Sequence, residues 1–282
     1  MAFPKYFTFW QKLGMHGLRL TAWLVLAFLM LPILVIIPLS FNAEPYFTFT
    51  QGMLAFDPEA YSLKWYAEII NDDKWLLAIK NSFFIGFWAT LIATVLGTFA
   101  AIGLSNPVMP WQRFIMAVLL SPMIVPLIIT AAGMYFFYTQ LGLTGSYLGV
   151  IVAHAALGTP FVIITVNAAL SGFDYSLMRA SLGLGATPIQ TFFKVIMPLI
   201  RPGVISGALF AFITSFDEVV VILFLAGPEQ RTIPRQMFSG LREQINPTIL
   251  AVAVLLVVVS ALMLFTIEYL RARGERIRTG QI

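Results

Sequence analysis

A chain of 282 residues that is 59% hydrophobic and only 11% charged has more apolar side chain than a soluble interior of that size can hide. Soluble domains average about 25% charged residues, so lipid must serve as solvent for much of this surface. The formal charge of +4 is unevenly placed, cysteine is absent and no Gly-x-x-x-x-Gly-Lys-Ser/Thr run occurs, which excludes disulfides, thiolate metal sites, cysteine nucleophiles and ATP binding through a P-loop.

A bilayer-crossing helix needs roughly 20 mostly apolar residues. Six stretches qualify, at residues 18–39, 82–104, 114–138, 148–169, 203–226 and 248–269. The first follows a short basic segment, but its apolar run is longer than a signal-peptide core and no Ala-x-Ala-like cleavage site follows, so it reads as a retained span. Residues 1–17 then form a cytoplasmic N-terminal segment, 18–270 the transmembrane domain and 271–282 a basic cytoplasmic tail. Orientation follows from Lys and Arg placement. Lys5, Lys12, Arg19, Arg113, Arg179, Lys194, Arg201, Arg271, Arg273, Arg276 and Arg278 lie on one set of flanks, and Lys64, Lys74, Lys80, Arg231, Arg235 and Arg242 on the other. The richer set is cytoplasmic, which puts both termini inside; the loop carrying Arg231, Arg235 and Arg242 runs against the trend. The tail reads as a topology anchor beside anionic lipid.

Between the first two spans, Leu63 to Ile70 has helical spacing with Trp65 and Ile69 on one face. It is expected to lie at the outer surface with its aromatics at headgroup level. Pro122, Pro126 and Pro160 each remove a backbone hydrogen bond and permit kinks in spans three and four. His154 in span four reads as a residue that bonds one helix to another.

The loop between spans four and five, residues 172–202, is the most informative segment. It reads as two short helices around a tight corner: Asp174 caps the first, Gly185 supplies a left-handed residue at its end, Thr187 caps the second with Pro188 at its first position, and Met197-Pro198 ends it. Ile189, Phe192, Phe193 and Ile196 repeat at helical spacing, an apolar face suited to docking on another protein. Ala180, Gly185 and Pro198, with Ser181, Val195 and Met197 as conservative stand-ins, give this segment a pattern that resembles the Glu-Ala-Ala-x-x-x-Gly signature of ATP-binding-cassette (ABC) importer permeases. The resemblance runs from about span two to the tail and is nearest the polyamine (spermidine/putrescine) branch. It implies an all-α membrane protein with a type I ABC importer permease-like core, in which Arg179, Ala180, Ser181, Gly185, Ala186, Pro188 and Pro198 belong to a loop that seats in a groove of a separate ATPase subunit. Arg179 stands where the signature has Glu.

Span five carries two adjacent acids, Asp217 and Glu218, near its expected middle. An ionisable side chain at the centre of a spanning helix costs about 2.5–3.5 kcal/mol on insertion scales, so each needs a water-filled path, a cation or a structural partner. Ser206, Phe210, Thr214 and Asp217 recur every three or four residues as one partly polar stripe. The functional reading gives Asp217, with Glu218, the role of attracting ammonium groups while Phe216 or Phe210 supplies cation–π contact and Thr214 lines the path; the structural alternative is a pair of acids bonded to another helix or capping irregular backbone. In the polyamine branch the resemblance implies similar paired acids at this place.

The resemblance further implies a non-catalytic subunit that pairs with a second permease, an ATPase dimer and a periplasmic substrate-binding protein in the bacterial inner membrane, with ATP used by the partners, no cofactor or metal held by this chain, and no role for nucleic acid. The 227–234 turn is then part of the surface that meets the binding protein. The substrate is expected to be a small cation such as putrescine or spermidine, with γ-aminobutyrate or a choline-like compound as alternatives. A stand-alone secondary transporter would show inverted repeats, which are not visible. An intramembrane hydrolase using Ser121 or Ser215 would bring a nucleophile elbow or a metal-spaced His pair, and neither occurs.

Overall fold

The computed structural model describes the backbone of residues 8–106, 108–243 and 246–278, and their side chains except at 242, 243, 267 and 270–278. Lys5 and the basic side chains of the tail therefore lie outside the described residues. The chain divides into two compact units, residues 1–69 with 243–257, and residues 70–242 with 258–282.

The first unit holds α1 (Phe9–Leu39), α2 (Gln51–Leu54), α3 (Lys64–Asn71) and the start of the last long helix. Helix α1 begins nine residues before the expected span, because Thr8 and Gln11 form a capping box that satisfies two exposed N–H groups. Its apolar residues are exposed almost throughout, as a lipid-facing helix requires. Helix α3 corrects the expectation of a headgroup-level face. Trp65 and Ile69 are buried, Trp65 Nε1 donates to the Asn42 carbonyl at 2.7 Å, and Tyr66 stacks on Phe41 and bonds Ser40. Glu68 accepts from the Thr248 hydroxyl at 2.8 Å. These aromatics pack inside the first unit.

The second unit is a bundle around α4 (Asp73–Leu104), with α5 (Gln112–Ile124), α6 (Leu127–Gln140), α7 (Tyr147–Leu170), α8 (Tyr175–Gly183), α9 (Pro188–Thr191), α10 (Met197–Phe216), α11 (Val220–Leu225), α12 (Ile233–Glu243) and the remainder of α13 (Thr248–Arg278). Helices α4, α7 and α10 pack most closely. Their contact is a seam of small residues. Ala89, Ala93, Gly97 and Ala101 recur every fourth residue on the buried face of α4, and Gly203, Gly207, Ala211 and Ser215 do so on α10. A Cβ added at Gly97 would sit 2.6 Å from Val162 Cβ, and one at Gly158 2.9 Å from Ala211 Cβ. Between helices in lipid, where no hydrophobic force drives association, such close backbone approach supplies the van der Waals contact that holds them.

Two expected spans differ most in the structure. The third is a broken pair, α5 and α6, bent by 103°, because Val125 precedes Pro126 and is extended (φ −70°, ψ 135°), the conformation a following proline favours. The fifth starts at Pro188 rather than 203: Pro198 does not end a helix, since a π-turn over Phe192–Ile196 runs directly into α10 with Pro198 in its first turn. The wider turn tolerates the missing N–H. The fifth span also stops at Phe216, well short of 226.

Candidate functional site

The acids sit at that stop. Asp217 is the C-cap of α10 (φ −91°, ψ −3°), its N–H still bonding the Ile213 carbonyl. Glu218 and Val219 then bridge to α11. The two acids are therefore at a helix break, not at the middle of a continuous span, and the break separates their roles. Glu218 is buried, and its Oε1 accepts from Val221 N–H at 2.8 Å, which satisfies a donor at the start of α11 that lipid could not. Asp217 is exposed.

Exposure along α10 sorts the other candidates. Gly203, Gly207, Ala211 and Ser215 face the bundle, whereas Phe210 is exposed and Ser206 and Thr214 are partly so. The polar stripe thus lies on the accessible side and ends on Asp217. Phe210 stacks on Phe161 with centroids 6.3 Å apart, presenting a pair of ring faces beside the stripe. Phe216 does not belong to it. It is buried, stacked on Phe212 at 5.4 Å and edge-on to Phe83 at 5.2 Å, so it offers no face to a passing cation. His154 Nδ1 shares a hydrogen bond with Ser215 Oγ at 2.8 Å, both groups being buried. This contact binds α7 to the last turn of α10, two residues before Asp217.

The 172–202 loop forms at the end of the bundle where α4 and α7 terminate. Asp174 accepts from Ser176 N–H at 2.8 Å and caps α8. Hydrogen bonds from Ser176 hold its carboxyl below the ordinary carboxylate value, with Arg179 adding a smaller effect. Gly185 has φ +87°, and Ala186 N–H returns to the Ser181 carbonyl at 3.2 Å, a helix-ending bond pattern that L-residues other than Asn accommodate poorly. Thr187 and Gln190 form a capping box with Pro188 at the first helical position. Ser181 Oγ and Thr191 Oγ1 are 3.0 Å apart, so Ser181 ties the two short helices into one corner. The expected apolar face splits. Phe192 stacks on Phe99 and Ile196 packs on the core, while Leu184, Ile189 and Phe193 point outward with Ala180, Pro188 and Pro198 also exposed. Ala186 is half-buried beneath them.

This arrangement, a bundle of close-packed helices with a rigid helical corner projecting from one end, has known counterparts. Residues 93–275 match the family described as "Binding-protein-dependent transport system inner membrane component". The chain belongs to this family. It is 31% identical over 266 residues to the putrescine transport system permease protein PotI of Escherichia coli (strain K12), covering 90% of each chain. It is 28% identical over 258 residues to the spermidine/putrescine transport system permease protein PotC of the same strain, covering 92% of this chain and 95% of that one. A chain of a bacterial ABC transporter involved in import of the acidic polysaccharide alginate superposes over 94% of this chain and 99% of its own with TM-score 0.69 at 15% identity. The fold is that of a type I ABC importer permease, and the chain is a non-catalytic, multi-pass component of an inner-membrane importer.

At the opposite end of the bundle the family member carries a network that sequence reasoning missed. Asn81 Nδ2 donates to the carbonyls of Glu229 and Arg231 at 2.7 and 2.8 Å, and Tyr147 OH donates to Asn81 Oδ1 and the Glu229 carbonyl at 2.9 Å each. Arg235 donates to the carbonyls of Ala226 and Gly227, closing the end of α11, and Arg231 bonds Gln236. Arg231 and Arg235, two of the three arginines that ran against the charge rule, are thus committed to side-chain and backbone acceptors. Burial, and then Arg231, lower Arg235 from its ordinary value. Asn81 within an apolar run was the available signal, since a buried amide in a spanning helix needs partners.

Proposed function

We propose that this chain is one permease subunit of an importer for small cations of the putrescine and spermidine class. It works with a second permease subunit, an ATPase dimer that binds and hydrolyses the ATP, and a periplasmic binding protein. Both termini and the 172–202 loop are cytoplasmic, and the Asn81–Arg235 network faces the binding protein. ATP-driven closure of the ATPases pushes on the outward side chains Leu184, Ile189 and Phe193. The corner moves as one piece because the Ser181–Thr191 bond and the Asp174 and Thr187 caps hold it. Its continuous connection to α10 through the π-turn delivers that motion to the break at Asp217, where the pathway opens to each side in turn.

The observation that carries this reading is the division of the two acids. Glu218 is spent on capping α11, while Asp217, at the end of an accessible stripe with Phe210 and Thr214, has its carboxylate available to ammonium groups. Two relatives at about 30% identity are named for putrescine or spermidine transport, which accords with a cationic substrate. Reconstitution of this chain with its partner permease, ATPase and binding protein in liposomes tests it. ATP-dependent uptake of putrescine or spermidine in preference to γ-aminobutyrate and choline is expected. Uptake by this chain alone without ATPase, or a preference for either zwitterion or quaternary amine, would overturn it.

A further inference from the structure

Between the corner and the bundle lies a cavity of about 600 Å³, within the range of small-molecule sites. Its walls are Ile102 of α4, Leu170 of α7, Phe173, Met178 of α8 and Ile196. Its polar lining is Ser105, Asn106, Tyr175 and Arg179, with no acid among the described residues that line it. The hydroxyl hydrogens on this rim are already engaged, as is the Asn106 side-chain oxygen. Ser105 Oγ donates to the Ile102 carbonyl, Tyr175 OH reaches the Ser105 carbonyl at 3.3 Å, and Asn106 Oδ1 accepts from Val108 N–H at 3.1 Å. The Arg179 guanidinium and the Asn106 amide hydrogens remain as donors. The one acid of the loop, Asp174, has its carboxylate on the N-terminus of α8.

An apolar chamber whose rim carries a guanidinium and an amide donor is complementary to an anion joined to hydrocarbon. The cavity opens where α4 and α7 end, which on the orientation proposed above is the inner headgroup level. We propose that it is a site for an anionic phospholipid of the inner leaflet, the phosphate held by Arg179 and Asn106 and the first methylenes of the lipid against Met178, Leu170 and Ile196. Arg179 stands where the coupling signature has an acid. In this chain the position lines the cavity between α8 and the bundle, and a lipid bound there is wedged between α8 and the helices that the coupling role has it move.

This inference rests on the proposed coupling role and orientation of the loop, and the test separates the two. The assembled importer is stripped of lipid in detergent and titrated with phosphatidylglycerol, phosphatidylcholine or inorganic phosphate. Bound lipid is counted by native mass spectrometry, and ATPase retention is measured by co-purification. Wild type should retain one phosphatidylglycerol in preference to phosphatidylcholine. Arg179→Ala should weaken it about tenfold, the scale of one charge-assisted contact, with Arg179→Lys largely restoring it. Met178→Trp, which fills the chamber and leaves the charge, should displace it independently. Equal retention of the two lipids, competition by inorganic phosphate alone, or unchanged binding in both Arg179→Ala and Met178→Trp would each overturn the site. Loss of the ATPase from Arg179→Ala with lipid still bound would make Arg179 a protein contact, overturning the lipid site while leaving the coupling reading intact.

Discussion

The two acids at the break should separate under substitution, and the structure sets the size of each effect. Glu218→Ala removes a buried carboxylate that accepts from Val221 N–H at 2.8 Å. A hydrogen bond to a charged group contributes about 1.5–3 kcal/mol, and loss of a helix cap costs about 0.5–2 kcal/mol, so the variant should lose about 2 kcal/mol of stability. Glu218→Gln keeps an acceptor oxygen at the same reach and should recover most of it. Asp217 has an exposed carboxylate, so Asp217→Asn should change stability by under about 0.5 kcal/mol. Its charge matters to a cation instead. An ammonium 4 Å away in surroundings of effective dielectric about 20 is attracted by about 4 kcal/mol, near a thousandfold in affinity. The assay is denaturant or thermal unfolding of each purified variant, beside initial uptake rates of radiolabelled putrescine at low concentration in liposomes with the complete importer. Asp217→Asn should be stable and nearly inactive; Glu218→Gln should be stable and active. If Glu218→Gln is as stable as wild type yet inactive, the buried charge itself serves transport and the assignment of Glu218 as a cap is refuted. If Asp217→Asn transports normally, the accessible stripe is not the pathway.

Other substitutions probe the scaffold and the loop. Gly207→Ala would place a Cβ 2.8 Å from Val162 Cα, backbone that cannot rotate away, so it should cost about 1–3 kcal/mol by overpacking; Gly103→Ala, with nothing within 4 Å, should be neutral or up to about 1 kcal/mol stabilising by helix propensity, and unfolding midpoints compare the two. Gly185→Ala forces an L-residue to φ +87°, a strain of about 1–2 kcal/mol. It should reduce ATP-driven uptake more than it reduces ATPase activity, with Gly185→Asn closer to wild type. The Asp174 carboxyl is held below its ordinary value of 3.8. Its folded-state pKa is depressed, so its contribution to α8 is complete above the unfolded value and lost only as pH falls through the folded one. Amide protection of α8, corrected for intrinsic exchange, should be flat from neutral pH down to about pH 5 and fall only in stronger acid. Asp174→Asn should abolish that acid step while keeping the cap.

Much of this was legible in the sequence because lipid simplifies the physics. With no water to satisfy backbone groups, long apolar runs must be helices, and the existence and order of the spans follow from composition. The corner was equally readable, since Asp174, Gly185, Thr187 and Pro188 are local signals whose meaning does not depend on distant residues. What composition could not locate were the interruptions. An apolar run looks the same whether Pro126 bends it by 103° or Pro198 is absorbed by a π-turn, because the outcome turns on which neighbouring backbone can compensate. Two adjacent acids likewise announce an exceptional place without saying how they divide the labour. That division is settled by the break, for once α10 stops at Phe216 the first N–H groups of α11 need an acceptor, and of the two acids Glu218 is the one turned inward to supply it.

The position of the break also bears on how force reaches it. From Pro188 to Phe216 the chain is helical without interruption, so on the proposed coupling role a push on the corner is transmitted along a rod. The rod ends one residue before Asp217, and its final turn is fastened sideways to α7 by Ser215 and His154. The break in the helix therefore lies at the acid, beyond the fastening. A rigid lever that ends at the proposed substrate contact gives movement of the corner a direct effect on the surroundings of Asp217, and it explains why the polar stripe, the aromatic pair Phe161–Phe210 and the corner all belong to one continuous helix or its immediate neighbour.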